Sequence, residues 1–381
     1  MEQVDEEMEG YFMYTEQIQI KAETLANVLG KMFSVNIIHA SYQTKQLHGG
    51  TLGDVRLVTG IAETIEGKKW PFKVVLKTQK KWERPGDQDS WRREYDLYTS
   101  DFGEVFTDSL RWPKYYHAEM NDDEIHLWIE YIDGISGDRL DIETLEFAAT
   151  ELGRFQGRIY KQQETLRNIS FLSEPDTFSK NFEQWHTQTF SHEFLISDQC
   201  RLPGFLKQMV KNGEIQLYNG KSFEYGCLRS AGCDIPEYLK QMLFDIDDNR
   251  EALFNSLKRL PVVLCHRDFW VENIFLSEGK IRLIDWDCAG FGYLGEDIAS
   301  LIYDETETKN LHEYFCRLIP AYVKGISEYL EIPRDFNKYI QEMILIIFGY
   351  RLVQSHMFTE SPKAKEEQVK RLQIIYEMRD M

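Results

Sequence analysis

The sequence predicts an α+β chain of two lobes, a small β-rich first lobe with one main helix and a larger helical second lobe. Three observations carry this expectation. The 381 residues are more than one ordinary hydrophobic core accommodates. Short β-rich runs fill the stretch from Asn36 to about Ile132. Beyond Gly134 and Gly137 the apolar residues recur at helical spacing.

Taken in order, the opening residues are polar and read as a loose tail. A first helix follows over 21–33, where apolar residues keep helical period. Strands are expected over 54–59 (DVRLVT), 72–76 (FKVVL) and 125–131 (IHLWIEY), with one helix interposed near 90–99. Strands broken by a single helix describe a small α+β lobe, residues 1–132, ending in a hinge near 130–134. The second lobe, 133–381, opens with a helix over 143–160 whose Leu145, Ala148, Leu152 and Phe155 face a core. Residues 165–258 are aromatic and charged, and mostly helical in pattern. Strand signals return at 262–265, 274–276 and 281–284, and from 295 onward the chain reads as helices.

Composition narrows the function. Hydrophobic residues make up 43% of the chain, enough for packed interiors. The net charge is −19, from 63 acidic and 44 basic residues. No Lys/Arg cluster is long enough for a nucleic-acid stripe, and the run 77–81 (KTQKK) reads as a solvated strand end. The six cysteines form no Cys-x-x-Cys pair, and His186 and His192 lack metal-ligand spacing. The first residues (MEQVDEEMEG) are acidic, unlike a signal peptide. The longest apolar run, 343–348 (MILIIF), is far short of a membrane span. The expectation is a soluble, cytoplasmic chain with neither membrane nor nucleic acid as partner.

Chemistry concentrates in LCHRDFWVENIFL (264–276) and LIDWD (283–287). A short strand delivers His266 and Asp268 into a loop, Asn273 follows before the next strand, and another strand ends at Asp285. Phosphoryl transfer needs this inventory: a carboxylate to orient and deprotonate the attacking hydroxyl, and oxygen ligands for magnesium beside the phosphates. Asp268 suits the first task, Asn273 and Asp285 the second. An Asp/Asn oxygen set favours magnesium over zinc.

This pattern resembles the aminoglycoside phosphotransferase and choline kinase-like families, relatives of the protein kinases, which pair a His-x-Asp-x-x-x-x-Asn loop with an Ile-Asp-Trp-type strand end. The resemblance implies a bilobal protein kinase-like fold and an ATP- and magnesium-dependent enzyme. It makes Asp268 the base, His266 its structural support, Asn273 and Asp285 the metal ligands, and Asp297 a brace for the loop. In the first lobe, HGGTLGDV (48–55) is a glycine-rich turn between predicted strands. Its Gly50, Thr51 and Gly53 let backbone N–H groups approach phosphates. Lys77 ends a strand and Glu94 lies on the interposed helix, in the order of the family's phosphate-binding Lys and its partner Glu. The segment LWIEYIDG (127–134) resembles the family hinge, where adenine meets backbone groups of Glu130 and Ile132. Such backbone contacts accept ATP and GTP alike, and ATP is the expectation.

The acceptor is expected to be a hydroxyl of a small, cationic molecule such as an aminoglycoside or amino alcohol. Trp270, Glu272 and Asp287 are placed to touch it, and aromatic rings beside carboxylates suit an ammonium group. Trp185, Tyr218, Phe223, Tyr225, Asp245, Asp247 and Asp248 are weaker candidates, since most residues of this kind are core or solvated face. Two other readings stand beside this one, a protein kinase and a catalytically silent nucleotide-binding module of the same fold. Arg267, where many family members carry Gly, points toward the former. Only eleven residues separate Asp285 from Asp297, and no Ala-Pro-Glu follows, which points away from it.

Overall fold

The computed structural model describes residues 18–47, 53–82, 87, 90–162, 166, 169–184, 186, 192–197, 200 and 202–380. They divide into two compact units, one of residues up to 81 with 113–131, the other of 82–112 with 132 onward.

The first unit is an antiparallel sheet. Its strands are β1 (Ile37–Gln46), β2 (Gly53–Thr64), β3 (Lys69–Lys80), β5 (Tyr115–Met120) and β6 (Glu124–Glu130), in the order β1-β2-β3-β6-β5. Period-two alternation puts Val58 and Ala62 of β2, and Phe72, Val74 and Leu76 of β3, on one face. Helix α1 (Ala22–Phe33) covers that face with Leu25, Val28 and Leu29, spaced to share one side of the helix. Tyr116 and Trp128 close the core.

In the second unit, the two-residue strands β4 (Leu110–Arg111) and β7 (Ile135–Ser136) flank β9 (Ile274–Ser277) and β10 (Lys280–Leu283) in the order β4-β10-β9-β7. A separate antiparallel pair joins β8 (Val262–Cys265) to β11 (Gly290–Tyr293). Helix α2 (Ser90–Thr99) belongs to this unit. Helix α3 (Ile142–Tyr160) starts on the Asp141 side chain, which accepts the Thr144 N–H. It packs on the Leu311–Ile326 helix at very close range: a Cβ on Gly153 would stand 2.4 Å from the Tyr322 carbonyl oxygen, and one on Gly325 2.0 Å from that of Thr150. Only glycine allows this crossing, and the crossing brings Gln156 beside Tyr322.

The expected helices over 21–33, 90–99 and 143–160 form as Ala22–Phe33, Ser90–Thr99 and Ile142–Tyr160. Strand β11 goes beyond the sequence expectation, because Gly-Phe-Gly-Tyr carries no strand signal of its own; it forms by pairing with β8 on one side and bridging Ser173 at Gly290 on the other. The apolar run 343–348 ends the Phe336–Ile344 helix and enters a π-helical turn, Leu345–Gly349. Among the described residues no helix is long and apolar enough to cross a membrane.

Candidate active site

β8 delivers the loop. Val263, Leu264 and Cys265 are buried, and the chain then turns through Arg267, which holds the left-handed φ of 66° without being glycine. One carboxylate shapes this turn. The N–H groups of His266 and Arg267 donate to Asp297 Oδ2 and Oδ1 at 2.9 and 2.7 Å. Asp297 lies in the first turn of the Glu296–Tyr303 helix. Gln156 of α3 donates to the same Asp297 Oδ2 at 2.9 Å and to the Leu264 carbonyl at 3.0 Å, while its own oxygen accepts from the Tyr322 hydroxyl. Burial pushes Asp297 up to about 7, against the pull of the two backbone donors. The Arg267 side chain donates to Ser173 Oγ and the Glu174 and Phe291 carbonyls, and meets Glu296 at 3.3 Å.

His266 is buried between two loops. Its Nδ1 accepts the Asp268 N–H at 3.3 Å, so the proton sits on Nε2, 2.9 Å from the Ile284 carbonyl. Asn273 donates through Nδ2 to the Asp268 carboxylate at 2.7 Å and to the Asp268 carbonyl at 2.9 Å. Its own carbonyl accepts the Ile284 N–H at 3.1 Å, a second tie between the Asp268 loop and the Asp285 turn.

Asp285 follows β10 in the left-handed region, at φ 63° and ψ 64°. Next to it the Trp286 indole is fully buried against His266, Phe106, Trp112 and Phe155, with ring centroids 4.5 to 6.2 Å away. Its Nε1 donates to the Leu283 carbonyl at 2.9 Å. Helix α2 holds the turn from the other side: Glu94 accepts the Trp286 N–H at 3.0 Å, and Arg93 donates to the Asp287 carbonyl at 2.6 Å.

The electrostatics are those of a crowded acidic site. Burial first, then the charges of Asp285 and Asp287, push the Asp268 carboxyl up to about 7, and the Asn273 hydrogen bond opposes them. A cation among these groups would relieve that repulsion. Among the described residues no cluster of three or more His, Cys, Asp or Glu side chains would hold an ion alone. The donor set fits magnesium nonetheless. Asp285 would offer a carboxylate, and Asn273, whose Nδ2 serves Asp268, an amide oxygen. Phosphate and water oxygens complete such a shell.

Of the remaining sequence candidates, Gly50 and Thr51 lie outside the described residues, as does Trp185. Gly53, Lys77 and Glu130 are in the first unit. A Cβ on Gly53 would meet the Thr78 carbonyl at 2.5 Å, so β3 passes too close for another residue. Lys77 sits mid-strand between Val55 and Leu127, and Glu130 Oε2 accepts the Lys114 N–H. Ile132 opens the second unit. Trp270 is half-buried, Asp287 is buried, and the exposed Glu272 carboxylate stands where a Cβ of Gly137 would be. Other candidates are spent internally. Asp247 is buried and accepts from Ser222, Arg250 and Tyr350, Asp248 pairs with Lys221, and Tyr218 and Tyr225 flank Arg229. Sequence reasoning missed Arg93, Gln156 and Tyr322. Gln156 had a signal, a polar residue beside Phe155 on the buried stripe of α3.

A β-sheet unit followed by a helical one, with an Asp–Asn loop facing a strand-end Asp, defines the class of kinase-fold phosphotransferases. The chain belongs to the phosphotransferase enzyme family, whose model matches residues 101–324, more than half of it. Ethanolamine kinase 1 of Mus musculus is 26% identical over 107 residues, which cover 26% of this chain and 30% of the mouse protein. The Homo sapiens ethanolamine kinase 1 is 25% identical over 107 residues, 26% of this chain and 24% of its own. The chain thus matches under a third of these relatives' length. The solved choline kinase of Cryptosporidium parvum Iowa II superposes with a TM-score of 0.50 at 15% identity, covering 89% of each chain. The α+β fold is therefore protein kinase-like, and the protein is a member of a family of small-molecule kinases.

Proposed function

We propose that the protein transfers the γ-phosphoryl group of ATP to a hydroxyl of a small cationic molecule, of the amino-alcohol or amino-sugar class, with Asp268 as the base. The observation that carries this is the Asp268 carboxylate, steered by Asn273 and set in the field of Asp285 and Asp287. An acceptor hydroxyl against Asp268 is oriented for in-line attack and gives up its proton to the carboxylate as the phosphoryl group arrives. His266 keeps the loop in register through Nδ1 and Nε2. Magnesium, held by Asp285 and Asn273, would neutralise phosphate charge. By the family resemblance, Gly50, Thr51, Gly53 and Lys77 are the residues proposed for the phosphates, and backbone groups of Glu130 and Ile132 for the adenine. The net charge of −19 favours a cationic acceptor, and the partial likeness to ethanolamine kinases supports an amino alcohol. A protein acceptor fits less well, because residues 286–296 hold a short 3-10 helix and β11 where an activation segment would lie.

The test is radiolabelled ATP with a panel of amino alcohols and amino sugars. Asp268→Ala should keep its nucleotide-dependent thermal shift while turnover disappears. Turnover equal to the parent's in that variant sinks the assignment.

A further inference from the structure

Asp285 holds its left-handed backbone without the freedom of glycine, so its surroundings must impose that shape. Two of the three peptide units that follow it are gripped by α2. Glu94 takes the Trp286 N–H, and Arg93 reaches the Asp287 carbonyl. Arg93 is 2% exposed. Its Nε donates to the Phe171 carbonyl at 2.7 Å, its Nη1 to the Asp287 carbonyl at 2.6 Å and to Asp87 Oδ2 at 2.7 Å, and its Nη2 to Asp87 Oδ1. One rigid fork thus joins three segments distant in sequence. Asp87 balances the charge, and the two carbonyls fix the direction of the plane. A lysine ammonium in the same place is a point donor that cannot span these acceptors.

We propose that Arg93 is a positioning residue for the metal-binding turn. Its guanidinium, locked to Asp87 and Phe171, fixes the Asp287 peptide and so the presentation of the Asp285 carboxylate, and the cation site takes shape only with α2 docked. This rests on the reading of Asp285 as a magnesium ligand. The residues that pair with metal ligands indirectly typically matter ~10- to ~100-fold in metal affinity, and that is the range expected here.

The experiment measures Mn2+ binding by electron paramagnetic resonance, with a non-hydrolysable ATP analogue present, for the parent, Asp285→Asn, Arg93→Met and Arg93→Lys. Melting temperatures are followed in parallel. The expected result is loss of tight Mn2+ binding in Asp285→Asn, weakening in that range in Arg93→Met, and an intermediate value in Arg93→Lys. In turnover assays the apparent magnesium constant should rise in both Arg93 variants while the acceptor KM holds. If Asp285→Asn is weakened but both Arg93 variants bind Mn2+ like the parent, the Arg93 proposal is overturned and the metal assignment stands. If Asp285→Asn itself binds like the parent, the metal assignment fails and takes the proposal with it. Should Arg93→Met not fold, Arg93→Lys decides: weakened binding at an unchanged melting temperature supports the proposal, and parental binding refutes it.

Discussion

Asp268 can accept a proton only after losing its own. Its pKa stands at about 7, above the ordinary carboxylate range, so the acid form gains as pH falls through that value. With magnesium scarce, kcat/KM should therefore drop on the acid side with a midpoint near neutrality. A bound cation offsets the charges of Asp285 and Asp287, so saturating magnesium should move that midpoint to lower pH. Rate profiles between about pH 5 and about pH 9 at two magnesium concentrations read this directly. Asp297 gives a separate handle on stability. Its folded-state value, also about 7, lies above the unfolded one, so its contribution is complete in acid and is lost as pH rises through neutrality. Asn stays neutral, so the melting temperature of Asp297→Asn relative to the parent should improve from acid to alkaline pH. A gap that stays constant with pH would mean that folding leaves the Asp297 carboxyl at its ordinary value. The motif residues were legible because their spacing is local to one loop and one strand end. Arg93 was not, since its partners Asp87, Phe171 and Asp287 are brought together only by the tertiary fold. The same blindness worked in reverse at Asp247, a plausible cation contact in sequence that the fold consumes with Ser222, Arg250 and Tyr350.

The elements matter through how closely they approach one another. α3 carries Gln156 to the Asp297 carboxylate, and the Leu311–Ile326 helix carries Tyr322 to Gln156, across a crossing that tolerates no Cβ. Gly325→Ala must push against the Thr150 backbone, and should destabilise the protein by about 1–3 kcal/mol, the usual range for overpacking. Gly204→Ala, with open space around its Cβ, should stay within about 0.5 kcal/mol of the parent. Chemical denaturation of the two variants checks the contrast, and equal losses would show that the crossing is more yielding than its geometry. Helical period foretold α1, α2 and α3 within a residue of their ends, because each buries one continuous apolar face. The strands β4 and β7 have two residues each and no period to read. They exist because β9 and β10 supply their edges.

At the scale of the molecule, Asp268, Asn273, Asp285 and their supports all belong to one compact unit. Binding of nucleotide with magnesium should stabilise the protein by about 2.7 kcal/mol at a hundredfold excess over Kd, and magnesium alone far less. Thermal shifts with each component separately and together test this. The surplus of 19 negative charges should also make a cationic acceptor salt-sensitive. Its KM should climb with ionic strength while that of an uncharged alcohol analogue stays level, and parallel curves would remove the electrostatic argument for an ammonium substrate. The Asp297 carboxylate has one more consequence, and it concerns time. The amide hydrogens of His266 and Arg267 are sealed on its two oxygens beneath α3 and the Glu296–Tyr303 helix. In deuterated water they can leave only when those elements part. The peptide hydrogens next to Asp268 thus serve as a clock for the parting of these elements, and a bound nucleotide should make it run slow.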